Sequence, residues 1–124
     1  MDFERELTGQ IVDCAIRVHR TLGPGLLESA YAACLIHVLR ARGLQVNVEV
    51  AIPIEFDGIT VETGFRADLI VEGRVLVELK SVERFHSLHE AQVLTYLKLS
   101  GIKVGLLVNF NVPRLQLGIR RYVR

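Results

Sequence analysis

The sequence predicts an α/β (α+β) domain in which a mixed β-sheet is flanked by helices. Two observations carry this prediction. Apolar residues recur at helical spacing in the first third of the chain, whereas the middle and the end alternate between apolar and polar side chains. The predicted element order is α-α-β-β-β-α-β-β. A chain of 124 residues is about the size of one domain, so we expect a single domain over residues 1–124.

Two helices are predicted first. Residues 3–21 place apolar side chains at helical spacing with charged residues between them. The segment LGPG ends this helix, because Gly23 suits the left-handed position after a helix and Pro24 cannot continue one. A second helix is predicted over about residues 26–42.

Three strands are predicted next. Residues 46–56 alternate between apolar and polar side chains, as a half-buried strand does. Asp57-Gly58 is a strong hairpin signal that leads into strands at about 59–71 and 74–82. Pro53 has no amide hydrogen to donate, so we expect an edge position or a bulge there.

A helix and two strands complete the predicted order. In the segment SLHE, Ser87 as N-cap and Glu90 three residues later predict a capping box for a helix over about 88–99. KVGLLVNF at 103–110 is typical of a strand covered on both faces. The segment LQLGIRRYV after Pro113 alternates and predicts the final strand.

The composition is that of a water-soluble protein, and we expect a cytoplasmic one. No apolar run approaches the roughly 20 residues that span a membrane, and the first residues, MDFEREL, lack the apolar core of a secretory signal. Cys14 and Cys34 lack the spacing of a zinc site or a CxxC motif, which predicts free thiols in a reducing compartment.

Charge is distributed unevenly along the chain. The net charge is only +1, yet residues 91–124 contain no acid, and all 14 acidic residues precede them. The basic residues of this last segment are Lys98, Lys103, Arg114, Arg120, Arg121 and Arg124. A basic surface beside an acidic site is one explanation, and an ordinary solvated strand is an equally good one.

The segment FRADLIVEGRVLVELKSV places three charged residues, Asp68, Glu78 and Lys80, within apolar runs. Glu78 and Lys80 share a face because side chains two apart on a strand point the same way. A two-residue turn at Glu72-Gly73 would pair residue 68 with 77, which leaves Asp68 on the other face. A three-residue loop with Gly73 left-handed would pair 68 with 76, which makes Asp68 and Glu78 diagonal neighbours.

Two carboxylates on one covered face need a compensating charge, because they repel each other and lose hydration. One lysine cannot neutralise both, whereas a divalent cation can, and Mg²⁺ is commonly held by a few carboxylate oxygens. Such an ion polarises phosphoryl oxygens and acidifies water. The alternative is a solvent-facing strand surface with ordinary salt bridges.

These residues also carry a resemblance to a known family. Asp68, nine intervening residues and then Glu78-Leu79-Lys80 resemble the signature of the PD-(D/E)xK nuclease superfamily. The segment GLLESAY, with Glu28 and Tyr31, is similar to the pattern of the GxxExxY protein family within it. ELKSV, AQVLTYLKLSG and GLLVNF follow in the order that family shows. Alanine, rather than proline, precedes Asp68.

The resemblance implies a restriction-endonuclease-like αβββαβ core and hydrolysis of phosphodiester bonds with Mg²⁺ or Mn²⁺, with DNA favoured over RNA as substrate. It implies that Asp68 and Glu78 are metal ligands, that Lys80 orients water or stabilises charge, and that Glu28 is a further acid on or near the metal. The supporting residues it implies are Gln92, Tyr96 and Tyr31.

Other roles for these residues remain open at this stage. Glu28 could simply favour the start of a helix, Tyr96 could be half-buried packing, and His86 and His89 are expected to cap or to lie at the surface. Arg120, Arg121 and Lys98 are candidates for nucleic-acid binding, and a homodimer is possible. The alternative functions are a non-catalytic nucleic-acid-binding module and a protein-interaction module that retain the nuclease fold.

Overall fold

A computed structural model describes residues 4–124, apart from the side chain of Thr63. The helices are α1 (Arg5–Leu22), α2 (Glu28–Ala41) and α3 (Ser87–Ser100), and the strands are β1 (Val46–Phe56), β2 (Ile59–Val71), β3 (Val75–Lys80), β4 (Val104–Asn109) and β5 (Ile119–Val123). The predicted order of elements is confirmed. The start of the first helix predicted at residue 3 lies outside the described residues.

The five strands form one mixed sheet in the order β1-β2-β3-β4-β5. Neighbouring strands are antiparallel except β3 and β4, which are parallel and are joined through α3. A parallel pair needs such a crossover. The predicted α+β class with a mixed sheet is therefore confirmed, and β3 lies at its centre, where both of its faces are covered.

Each face of the sheet has its own apolar core. Helices α1 and α2 cover one face, against which Val77 and Leu79 of β3 pack. Helix α3 covers the other face, against which Leu76 packs together with Ile70. Gly105 of β4 lies beneath α3, and a side chain there would meet Val93 and Leu97 of the helix. The alternation along β3 therefore sends Glu78 and Lys80 to the α3 face.

The hairpin between β1 and β2 agrees with its sequence. Asp57 and Gly58 both have positive φ angles, of 54° and 80°, as the tight hairpin turn requires. The register between the two strands shifts at Ile52/Ile54, beside Pro53, and β1 is an edge strand. The bulge and the edge position expected of this proline are both present.

Two local predictions are wrong. The residue before α3 is His86, so Ser87 is the first helical residue and not the N-cap. The backbone N–H of His86 donates to Nδ1 of His89, at 3.1 Å, in place of the predicted bond with Glu90. Residues Leu115–Gly118 form a 3₁₀ turn instead of the start of the last strand.

The two cysteines are free, as the sequence predicts. Cys14 is buried, Cys34 is half-buried, and neither forms a disulfide. Burial raises the pKa of the Cys14 thiol. Within residues 4–124, no helix has both the length and the apolar character needed to cross a membrane.

Candidate active site

The turn between β2 and β3 determines which residues face each other. Val71 pairs with Val75, so the loop is the three residues Glu72-Gly73-Arg74, and Arg74 N–H donates to the carbonyl of Val71 at 3.0 Å. Glu72 and Gly73 both have left-handed φ angles, of 54° and 66°. The loop length agrees with one of the two predicted turns, but both predicted registers are wrong.

The observed register places Asp68 directly opposite Glu78. The last regular pair is Leu69 with Val77, and Asp68 and Glu78 come next on their strands. The predicted pairing of residue 68 with 76 is corrected by the position of the loop, which lies one residue further along the chain than expected.

The side chains of this pair replace the backbone bonds of the ladder. Glu78 Oε1 accepts from the backbone N–H of Asp68 at 2.9 Å. Asp68 Oδ2 accepts from the backbone N–H of Leu79 at 2.8 Å. The strands separate at the point where the carboxyl groups enter. Each carboxyl group is therefore fixed by the strand that carries the other.

Glu78 is the buried member of the pair, at 4% exposure, while Asp68 is half-buried. Burial, and next the charge of Asp68, raise the pKa of Glu78 to about 8. The positive charge of Lys80 acts in the opposite direction but is a smaller effect. At neutral pH, Glu78 therefore holds a proton when no other cation shares the site.

Lys80 is the last residue of β3 and lies opposite Asn109 of β4. Its carbonyl accepts from Phe110 N–H at 3.0 Å. The buried amide of Asn109 donates to the carbonyl of Val82 at 2.8 Å and accepts from its N–H at 3.0 Å. Asn109 thus holds the chain that leaves Lys80. The sequence indicated Asn109 only through its place, as an amide side chain at the end of an apolar strand.

Glu28 is the first residue of α2 and is exposed. It lines a cavity of about 220 Å³ together with Asp68 and Leu79. Glu49 of β1 lines the same cavity and has a left-handed φ of 50°. Sequence reasoning missed Glu49, since nothing in its alternating strand indicates that the backbone turns there.

Tyr31 lies outside this cavity. It is fully buried, and its ring stacks on Phe110 with centroids 4.4 Å apart. Its hydroxyl donates to the carbonyl of Gly23 at 2.5 Å and accepts from Leu26 N–H at 3.1 Å. Ser81 donates to the carbonyl of Leu26 at 2.6 Å. Tyr31 therefore fixes the loop that leads into Glu28, and Ser81 joins that loop to the residue after β3.

Helix α3 contributes aromatic and polar groups from the other face. Tyr96 is buried, and its pKa is raised by burial and then by the negative charges of Glu78 and Asp68. Gln92 is half-buried one turn earlier, at the spacing that places it on the same side of the helix. The charges of the carboxyl pair therefore act on Tyr96, while the supporting roles of Tyr96 and Gln92 stay predictions.

The three basic residues predicted to bind nucleic acid are not brought together. Arg120 pairs with Leu107 of the α3-side core, and its guanidinium lies 5.1 Å from the ring centre of Phe85. Arg121, its neighbour, points to the opposite face of the sheet. Lys98 is exposed on α3. The acid-free end of the chain therefore presents basic residues on more than one face.

Comparison with known families decides the assignment. The family model described as PD-(D/E)XK nuclease superfamily matches residues 5–122. The chain belongs to this superfamily. No curated protein and no solved structure gives a match. The match covers the described fold from α1 to β5, so the restriction-endonuclease-like arrangement of the sheet and helices is shown.

Nucleases of this superfamily generally use divalent metals, and the carboxyl pair fits such an ion. Asp68 and Glu78 offer hard oxygen ligands, and burial, followed by the charge of Asp68, raises the pKa of Glu78 by more than Lys80 lowers it. Within residues 4–124, no group of three His, Cys, Asp or Glu side chains is arranged to hold a metal ion. The fold thus assembles the Asp68–Glu78 pair, and Glu28 lines the cavity that Asp68 also lines.

Proposed function

We propose that this protein is a metal-dependent nuclease that hydrolyses phosphodiester bonds of nucleic acid, DNA in preference to RNA. The observation that carries the proposal is the Asp68–Glu78 pair. Two carboxyl groups are held opposite each other by backbone bonds, one of them is buried, and a lysine lies two residues away on the same strand face. A structural strand has no need for this arrangement.

Asp68 and Glu78 are the proposed ligands of Mg²⁺ or Mn²⁺, with Glu28 as a further acid from the N-terminal end of α2. When bound, the ion polarises a phosphoryl oxygen and makes a water molecule more acidic. The chain supplies fixed oxygen atoms for it, because each carboxylate is oriented by a backbone N–H. Glu78 must lose its proton for this role, which the positive charge of the ion favours.

Lys80 is the proposed group that orients the attacking water or stabilises negative charge at the phosphate. Its place at the end of β3, beside the carboxyl pair and held by β4, supports this role. Gln92 and Tyr96 are proposed to support the site from α3. Tyr31 acts at a distance, by fixing the loop before Glu28.

Arg120 is the best-placed of the candidate nucleic-acid contacts, because it lies on the α3 face near Phe85. Lys98 and Arg121 would meet other parts of a substrate. We further propose that the chain is a GxxExxY family member, that residues 1–124 act as one domain in the cytoplasm, and that a homodimer provides the surface a domain this small lacks.

The test is cleavage of labelled duplex DNA, single-stranded DNA and RNA by the purified protein with Mg²⁺, Mn²⁺ or EDTA. We expect metal-dependent cleavage that Asp68→Asn abolishes with the fold intact. Asp13→Asn, at an exposed position on α1, is the matched control and retains activity. Salt-sensitive binding without cleavage would instead indicate the non-catalytic module.

A further inference from the structure

His89, at the start of α3, has a fixed tautomer. Its Nδ1 accepts the backbone N–H of His86 at 3.1 Å. A backbone N–H can only donate, so Nδ1 carries no proton, and the hydrogen of the neutral ring lies on Nε2. This bond caps the helix, but the cap uses only one of the two ring nitrogens.

The ring of His89 lies on the side of α3 that faces the sheet, because helical spacing places residue 89 on the same side as the buried Val93 and Tyr96. It is half-buried and makes edge-on contacts with the rings of Phe85 and His86. The pKa of His89 is lowered by burial, then by the positive charges of Lys80 and His86, while the charge of Glu28 acts in the opposite direction. The lowered pKa favours the neutral form of the imidazole.

The second nitrogen is a donor without an acceptor. Among residues 4–124, no hydrogen bond to Nε2 of His89 is present, and the ring is not closed off from solvent. Nε2–H has no lone pair to offer, so His89 in this tautomer does not ligate a metal. What it can bind is an anionic oxygen, to which N–H donors bond strongly.

We propose that His89 contacts the substrate, with its Nε2–H donating a hydrogen bond to a phosphate oxygen of the nucleic acid bound beside Lys80. This inference rests on the proposed function and adds a residue to it. The hydrogen bond of the cap orients the imidazole ring, and the ring of Phe85 contacts it edge-on. The positive charge of Lys80 favours the neutral form of the ring. The neighbouring Arg120 over Phe85 extends the same face for the rest of the substrate.

Two variants separate the cap from the substrate contact. His89→Asn places an oxygen where Nδ1 lies, so it preserves the cap and removes the donor at the ε position. His89→Gln places an amide nitrogen near the position of Nε2, so it keeps the donor and weakens the cap. His37→Asn, at an exposed position on α2, is the matched control.

The first measurement is binding of a fluorescein-labelled DNA hairpin with a single-stranded tail, by anisotropy, in an Asp68→Asn background that prevents cleavage. We expect His89→Asn to weaken binding by about tenfold or more, as the loss of one charge-assisted bond does. His89→Gln should bind nearly as well as the parent but unfold a few degrees lower. The control variant His37→Asn should match the parent protein in both DNA affinity and unfolding temperature.

Unchanged DNA binding by His89→Asn would overturn the proposal. An equal loss of binding in His89→Asn and His89→Gln would also overturn it, because the loss would then come from the weakened helix cap. Long-range ¹H–¹⁵N spectra of the full chain provide a second measurement, in which we expect Nε2 protonated and Nδ1 unprotonated. The opposite tautomer would also overturn it. If the parent protein cuts no nucleic acid, the proposed function fails, while the binding comparison still decides the role of His89.

Discussion

The side chains of Glu78 and Asp68 each accept a hydrogen bond from the backbone of the strand that carries the other residue. The carboxyl group of Glu78 accepts from the backbone N–H of Asp68 at 2.9 Å, and the carboxyl group of Asp68 accepts from the backbone N–H of Leu79 at 2.8 Å. Side chains thus complete the pairing of β2 and β3 at the point where the ladder stops. This arrangement orients two acids toward one place, at the cost of burying one of them.

The first prediction concerns stability and pH in the metal-free protein. The pKa of Glu78 is raised from 4.5 to about 8 in the folded state, so between these values the folded protein binds more protons than the unfolded chain. The free energy of unfolding in EDTA should therefore fall as pH rises from about 5 to about 8.

Denaturant titrations across this pH range test the prediction. Glu78→Gln should flatten the dependence, because the neutral amide has no proton to lose. Glu83→Gln, at an exposed site, should leave it unchanged. A parent protein whose stability rises over this range would show that Glu78 is ionised throughout.

The second prediction concerns Lys80. Lys80→Ala should lower the rate of cleavage by about 10²–10³-fold, as removal of a group that stabilises developing charge does, with little change in DNA affinity. Single-turnover assays with saturating protein isolate this step. Lys103→Ala, at an exposed residue before β4, is the control. Equal losses in both variants would mean that Lys80 contributes only general charge.

The third prediction concerns Tyr31. Tyr31→Phe keeps the stacking on Phe110 but leaves Leu26 N–H and the carbonyl of Gly23 without their partner. We expect a loss of about 1–3 kcal/mol in the free energy of unfolding and slower cleavage, because the loop before Glu28 loosens. Thr21→Ala, which removes one exposed hydroxyl bond, should cost less. Full activity in Tyr31→Phe would argue against a role for this loop.

The fourth prediction concerns Gly73. A side chain there meets no atom within 4 Å, so the cost of Gly73→Ala comes from the left-handed φ of 66° alone. We expect a loss of about 1–2 kcal/mol, less for Gly73→Asn. Activity per folded molecule should be unchanged, because the pairs Leu69–Val77 and Ile70–Leu76 hold the register. Loss of activity in a folded Gly73→Ala protein would contradict this prediction, because it would show that the turn determines the geometry of the site.

Periodicity predicted the helices and strands well because both faces of the sheet are covered by apolar cores. The conformation of the turn at Glu72-Gly73-Arg74 was harder to predict. Sequence reasoning assigned a left-handed conformation to the glycine alone, whereas Glu72 adopts one as well. The loop also lies one residue further along the chain than expected, so the register differs from both predictions and Asp68 follows the pair Leu69–Val77 opposite Glu78.

The site was predicted in part. Asp68, Glu78 and Lys80 could be found because charges inside apolar strands are conspicuous, and Glu28 because of its resemblance to a known pattern. Arg120 and Arg121 could have been separated from sequence, since adjacent residues on a strand face opposite ways. The position of Glu49 in the cavity depends on a local change in the backbone, which no sequence pattern predicted.

Calorimetric titration with Mn²⁺ at pH 7, in buffers of different ionisation enthalpy, tests the central claim that Asp68 and Glu78 form a metal site. Because the pKa of Glu78 is about 8, we predict that binding releases about one proton per site, and that Asp68→Asn abolishes binding. Asp13→Asn should bind as the parent does. An absence of binding, or binding that survives Asp68→Asn unchanged, would contradict the account.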